Sequence, residues 1–140
     1  MASVFTKIIA GELPGRFVWK DEHAVALLTI NPLKPGHTLV VPRVEVDHWL
    51  DLEPELARHL VTVSQKVGQA IQRAFRPTKV GLIVAGLEVP HVHLHLVPVT
   101  GLGDFDFSKA DRSPDPKALD DAAARLRAAL REAGHPEAAG

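Results

Sequence analysis

The chain has 140 residues, 46% apolar and 24% charged, an ordinary single-domain balance that excludes a wholly disordered or collagen-like protein. A net charge of −1 lacks the basic excess that displaces counterions from nucleic acid, and the absence of cysteine excludes a disulfide scaffold, a cysteine nucleophile and the usual structural zinc site. No apolar run approaches the roughly 20 residues that cross a bilayer and the first ten residues are too interrupted for a secretory leader, so a cytoplasmic domain with neither nucleic acid nor membrane as partner is expected.

Phe17–Lys20 and His23–Thr29 read as two strands joined by the polar turn Asp21-Glu22. Asn31-Pro32-Leu33-Lys34-Pro35-Gly36 is a loop, and His37–Val41, closed by Pro42, is a third strand. Between Glu53 and Phe75 the apolar residues Leu56, Leu60, Val63, Val67, Ala70, Ile71 and Ala74 recur at three and four positions, the stripe of an amphipathic helix, with Pro54 in its first turn and Pro77 beyond its end. Lys79–Val84 is a fourth strand and the segment around His91 a fifth. Thr100–Pro114, rich in glycine and aspartate, is expected to be a mobile loop. A last helix begins at Asp115-Pro116 and stops at Gly134. Two or three helices with five mostly antiparallel strands make an α+β domain.

The informative segment is Pro90-His91-Val92-His93-Leu94-His95-Leu96-Val97-Pro98. On a strand, alternate side chains share a face, so His91, His93 and His95 point one way and Val92, Leu94 and Leu96 the other. The apolar set belongs to a core and the histidines to a groove or to solvent. One reading of the histidines is a polar face without chemistry. A second is a metal site, but the outer two stand about 13 Å apart along a strand and metal–nitrogen bonds are about 2 Å. One ion would have to recruit Glu88, Glu45 or His37, leaving a histidine without a role. The third is nucleophilic catalysis at phosphorus. Neutral imidazole, with an ordinary pKa of about 6.5, attacks, while its neighbours stabilise charge on oxygen and protonate the leaving group. That chemistry needs neither metal nor cofactor.

These residues match the His-x-His-x-His-x-x signature of the histidine triad (HIT) family, with apolar residues at x. Phe5-Thr6-Lys7-Ile8-Ile9-Ala10-Gly11-Glu12-Leu13-Pro14 and Asn31–Pro42 resemble the family's N-terminal and central motifs. The resemblance implies a five-stranded antiparallel sheet with helices, a HIT domain over 1–110 and a C-terminal helical extension over 111–140, packed on that domain or trailing from it. It also implies a homodimer, for which the Leu56–Ile71 stripe is the candidate face, and a nucleotide hydrolase or transferase that forms a nucleotidyl-histidine and takes a purine nucleoside phosphate. His93 is the implied nucleophile, His91 and His95 its orienting and phosphate or leaving-group partners, and His37 an additional histidine nearby. Phe5, Ile8, Leu27 and Ile30 fall at positions around the nucleobase.

The departures bear on which branch the chain belongs to. Thr29 stands where many members place Asp or Asn on the ribose, Val80 replaces a frequent Asn, and Leu87-Glu88 replaces a Gln followed by Ser or Thr in the phosphate-contacting loop. A carboxylate at Glu88 repels an anionic phosphate unless it is protonated, turned away or bonded to a histidine. Ser3, Thr6 and Glu45 stand where many members hold zinc, so no metal is expected. Val99 follows Pro98 where the dinucleoside-polyphosphate-cleaving branch has Arg, and the glycine pair typical of the phosphoramidase branch is also missing. The leading expectation is hydrolysis of a nucleoside phosphoramidate or related nucleoside phosphate. The alternatives are dinucleoside polyphosphate hydrolysis and nucleotide binding with little turnover.

Overall fold

The structure, a computed structural model, describes residues 2–140; Met1 lies outside the described residues. In chain order it contains α1 (Val4–Ile9), β1 (Phe17–Lys20), β2 (Ala24–Leu28), β3 (Thr38–Pro42), α2 (Pro54–Phe75), β4 (Lys79–Ile83), β5 (Leu94–Val99) and α3 (Pro116–Glu132), with 3-10 turns at Trp49–Asp51, Leu102–Phe105 and Phe107–Lys109. The strands form one antiparallel sheet in the order β1-β2-β3-β5-β4, the α+β architecture that the sequence pattern predicts.

Both faces of the sheet are covered. That is why β2 and β3 are buried at every position and read as continuous apolar runs. On one face Val40, Leu94 and Leu96 share a core with Leu60, Val63, Val67 and Ile71 of α2, and Leu126 and Leu130 of α3 join it over β1, β2 and α2. Each buried leucine contributes on the order of 2 kcal/mol, so α3 is part of the main core. On the other face Val25, Leu27, Leu39 and Val41 pack with Phe5 of α1.

Several expectations are revised. The first residues carry no helix signal in the sequence, yet Ser3 caps α1 by accepting the Thr6 N–H. The Leu56–Ile71 stripe is spent inside the chain's own core and is not a free face. Thr100–Pro114 is folded rather than open. The Asp104 carboxylate accepts the Thr100 and Gly101 N–H groups and pairs with Lys34 at 3.1 Å. Phe105 fills the notch over Gly81, where a Cβ would lie 2.1 Å from its ring. The fifth strand begins only at Leu94, so His91 and His93 precede the ladder. No described helix is long and apolar enough to cross a membrane.

Candidate active site

The residues before β5 keep the strand's alternation although they lie outside its ladder. Val92 is 2% exposed and joins the helix-covered core, while His91 (0%) and His93 (7%) face the α1 side. His93 Nδ1 lies 2.7 Å from the backbone carbonyl of His91. A carbonyl only accepts, so Nδ1 carries the proton and Nε2 keeps its lone pair.

A second chain of hydrogen bonds sets the tautomer of His95. The Leu33 N–H donates to His37 Nδ1 at 3.0 Å, so His37 carries its proton on Nε2. His37 Nε2 stands 3.0 Å from His95 Nδ1 and donates to it, which puts the remaining proton of His95 on Nε2. The His93 and His95 ring centroids are 4.9 Å apart. Thus a lone-pair nitrogen and an N–H donor sit side by side, each fixed by a backbone group of known polarity.

These rings open into a cleft of about 570 Å³, within the size range of small-ligand sites. His37, His93, His95, Phe5, Ile8, Leu27, Thr29, Ile30 and Glu88 all line it. His91 does not, and neither does Val80, which faces a separate groove against α2 with Val61 and Leu96. Of the four histidines singled out in the sequence, His91 is therefore the one whose side chain cannot touch a molecule in the cleft. Its Nε2 donates to the Pro42 carbonyl at 2.8 Å and its Nδ1 lies 2.7 Å from Ser3 Oγ. Ser3 Oγ accepts the Thr6 N–H, and Glu45 Oε1 accepts both the Ser3 N–H and the Thr6 hydroxyl, each at 2.7 Å.

Arg112 and Phe107, which the sequence pattern does not single out, also line the cleft. The Phe107 ring centroid is 5.0 Å from that of His95. An aromatic and an arginine within a Gly/Asp-rich stretch were the available signal. Asp111, whose N–H donates to the Pro32 carbonyl at 3.0 Å, holds this segment against the loop before β3.

The protein-family model described as "HIT domain" matches residues 10–101. "Protein hit" of Bacillus subtilis is 36% identical over 106 residues, covering 72% of this chain and 73% of that one. The bis(5'-nucleosyl)-tetraphosphatase (asymmetrical) of Schizosaccharomyces pombe is 34% identical over 98 residues, covering 66% of this chain and 52% of its own length. Among solved structures, a zinc-bound histidine triad family protein from Mycobacterium smegmatis superposes with a TM-score of 0.82 at 28% identity, covering 95% of this chain and 96% of that chain. The chain belongs to the HIT family. Membership supports nucleotide binding and nucleotide hydrolysis as the general function.

The residues at the Ser3–His91 corner do not fit zinc. Ser3 and Thr6 offer neutral hydroxyls where zinc takes thiolate or imidazole, and both ring nitrogens of His91 are already hydrogen-bonded. Among the described residues no group of three or more His, Cys, Asp or Glu side chains could hold a metal ion.

Burial, with the neighbouring His93, lowers the pKa of His37 from 6.5 to about 4. Burial, with His93 and His37, lowers His95 to about 3. His93 is also lowered, chiefly by burial, against the opposing pull of the His91 carbonyl and Glu88. All three are neutral at pH 7. Unfolded histidines take up protons below about pH 6.5 while His37 and His95 do not, so acidification favours the unfolded state by up to about 1.4 kcal/mol per pH unit for each of these two rings, with His93 acting in the same direction. Urea unfolding should therefore show stability falling steadily between about pH 6.5 and 4.5, a window above the ordinary carboxylate range. A flat or rising profile there would contradict neutral buried rings.

Proposed function

We propose that the protein is a metal-independent hydrolase of nucleoside phosphoramidates or related nucleoside phosphates. The observation that carries this reading is the pair of opposed tautomers: His93 Nδ1 engaged by the His91 carbonyl, and His95 Nδ1 engaged by His37. Each ring is left with its Nε2 as the free nitrogen, one with a lone pair and the other with a proton. His93 Nε2 attacks the α-phosphorus and forms a P–N bond while the bond to the leaving nitrogen or oxygen breaks. His95 Nε2–H donates a hydrogen bond to the leaving nitrogen or oxygen, which departs with a proton taken from water. A second water then attacks the nucleotidyl-His93, its proton passes to solvent, and nucleoside monophosphate departs with both rings neutral as at the start.

Phe5, Ile8, Leu27 and Ile30 supply an apolar slot for a purine-type base at one end of the cleft. The Thr29 hydroxyl accepts the Asn31 N–H at 3.2 Å and retains a proton to offer a ribose oxygen. Arg112 offers a cation for phosphate charge. A second reading, cleavage of dinucleoside polyphosphates, draws on the name of the fission-yeast relative and on the same Arg112. Nucleotide binding with little turnover is favoured by Glu88, which is exposed on the cleft lining.

For assembly we propose a homodimer through a face other than the Leu56–Ile71 stripe. β4 is the outer strand of the sheet, and Trp49, Val61 and Leu82 are each about half exposed in its vicinity. On the opposite edge Trp19 of β1 is bridged by Ala138. An open edge bordered by apolar side chains is buried by pairing with a second copy. Light scattering at micromolar concentration should report a dimer for the wild type and a monomer for Leu82→Arg; a monomeric wild type would contradict this.

Incubation with a panel of nucleoside phosphoramidates and dinucleoside polyphosphates should release nucleoside monophosphate faster from the former, and His93→Ala should reduce release to background. Turnover of His93→Ala equal to wild type would remove the proposed nucleophile. Faster cleavage of the polyphosphates would favour the second reading.

Glu88 lies on the cleft as an acceptor-only carboxylate. At about 4 Å and an effective dielectric near 20, one charge pair repels by about 4 kcal/mol before relaxation and screening. A quarter of that changes binding about fivefold. Glu88→Ser should bind a nucleoside monophosphate more tightly than wild type, and the gap should narrow at high salt. Equal affinities at low salt would show that Glu88 exerts no such repulsion.

A further inference from the structure

The corner formed by Ser3, Thr6, Glu45 and His91 is built with the completeness of a binding site, yet none of its four residues lines the cleft and its hydroxyls suit no zinc. His91 is fully buried, and its backbone is where the nucleophile gets its orientation: the His91 carbonyl accepts the His93 Nδ1–H at 2.7 Å. That carbonyl lies before the β5 ladder, which begins at Leu94, so sheet pairing does not fix it. Three contacts do. The His91 N–H donates to the Val89 carbonyl at 2.8 Å, the Val92 N–H donates to the Val46 carbonyl at 2.7 Å, and the His91 ring is clamped from both sides. Its Nε2–H donates to the Pro42 carbonyl, which makes Nδ1 an acceptor, and Ser3 Oγ supplies the proton at 2.7 Å. Ser3 is in turn held through its N–H by Glu45 Oε1, and the same oxygen takes the Thr6 hydroxyl.

We infer that Ser3, Thr6 and Glu45 are positioning residues for His93. They form a hydrogen-bonded brace that acts through His91 and does at this corner, without metal, what a metal ion would otherwise do. Two acceptors compete for the Ser3 hydroxyl proton, Thr6 Oγ1 at 3.3 Å and His91 Nδ1 at 2.7 Å, and the shorter contact takes it because His91 Nδ1 is an acceptor. The Thr6 hydroxyl donates to Glu45, the Ser3 hydroxyl donates to His91, and Ser3 Oγ accepts from the Thr6 backbone N–H. Removing the Ser3 oxygen leaves a buried His91 nitrogen without a donor. The ring can then shift, and with it the carbonyl that selects the tautomer of His93. The brace also ties α1, whose Phe5 and Ile8 line the cleft, to the same histidine.

The inference rests on the proposed role of His93 as nucleophile, and its test has one arm independent of turnover. Imidazole 15N and 1H resonances of His93 in the ligand-free protein should show a single Nδ1–H tautomer in the wild type. In Ser3→Ala and Glu45→Ala that signature should give way to exchange between tautomers. In the same two variants kcat should fall about 10- to 100-fold, the scale of a displaced catalytic group, with KM little changed. Glu45→Gln keeps the one oxygen that accepts both hydrogen bonds and should retain the wild-type signature and most of kcat. Dialysis against a chelator should change neither readout in the wild type. Ser3→Ala removes a single oxygen and decides the matter should Glu45→Ala fail to fold. Wild-type His93 signals in folded Ser3→Ala, whatever its kcat, would overturn the inference, as would a rise in KM alone or loss of activity on chelation. If the wild type turns over no substrate, the functional reading fails while the resonances still decide the brace.

Discussion

The site depends on one constraint, the two-residue period of an extended chain whose two faces are both buried. From Val92 to Leu96 the chain must send Val92, Leu94 and Leu96 into the core covered by α2 and α3. The same period obliges His91, His93 and His95 to enter the α1 side. A slip of one residue would bury three imidazoles among leucines and expose the apolar set, so the hydrophobic core enforces the register of the three histidine rings. β3 alongside then delivers Leu39 opposite His95, and His37, one residue ahead of β3, reaches His95 from the loop end.

The chemistry is a consequence of where those rings find backbone groups. An imidazole in water exchanges freely between two tautomers. Here a carbonyl fixes one ring and a backbone N–H, relayed through His37, fixes the other with the opposite sense. Burial keeps the rings uncharged, so none of them spends its lone pair on a solvent proton. Burial that would be a liability for an unpaired histidine is tolerable because both nitrogens of His37 and the Nδ1 atoms of His93 and His95 are hydrogen-bonded, leaving only the Nε2 atoms of His93 and His95 free; no fully buried side-chain nitrogen or oxygen among the described residues lacks a partner.

Much of this was legible in the chain. The alternating histidines, the 3.6-residue stripe of α2, the capped start of α3 and the apolar lining at Phe5, Ile8, Leu27 and Ile30 follow from residue type, spacing or motif resemblance. What stayed hidden depends on contacts far apart in sequence. α1 has only six residues, too few to display a periodic stripe, and its cap matters because Glu45, 42 positions away from Ser3, completes it. The wall formed by Phe107 and Arg112 comes from a segment whose composition reads as loop. Its order derives from Asp104, Lys34 and the open space over Gly81. The sequence places His91 with its two fellows. Only the fold turns its ring toward Ser3 and Pro42 and leaves its carbonyl, instead of its side chain, to engage His93.

The central claim is a covalent nucleotidyl-His93, and the most direct test is the stereochemical course at phosphorus. A substrate chiral at its α-phosphorothioate centre, hydrolysed in isotopically labelled water, would undergo two in-line displacements if His93 attacks first, giving overall retention of configuration. Inversion would mean a single displacement by water and would contradict the account.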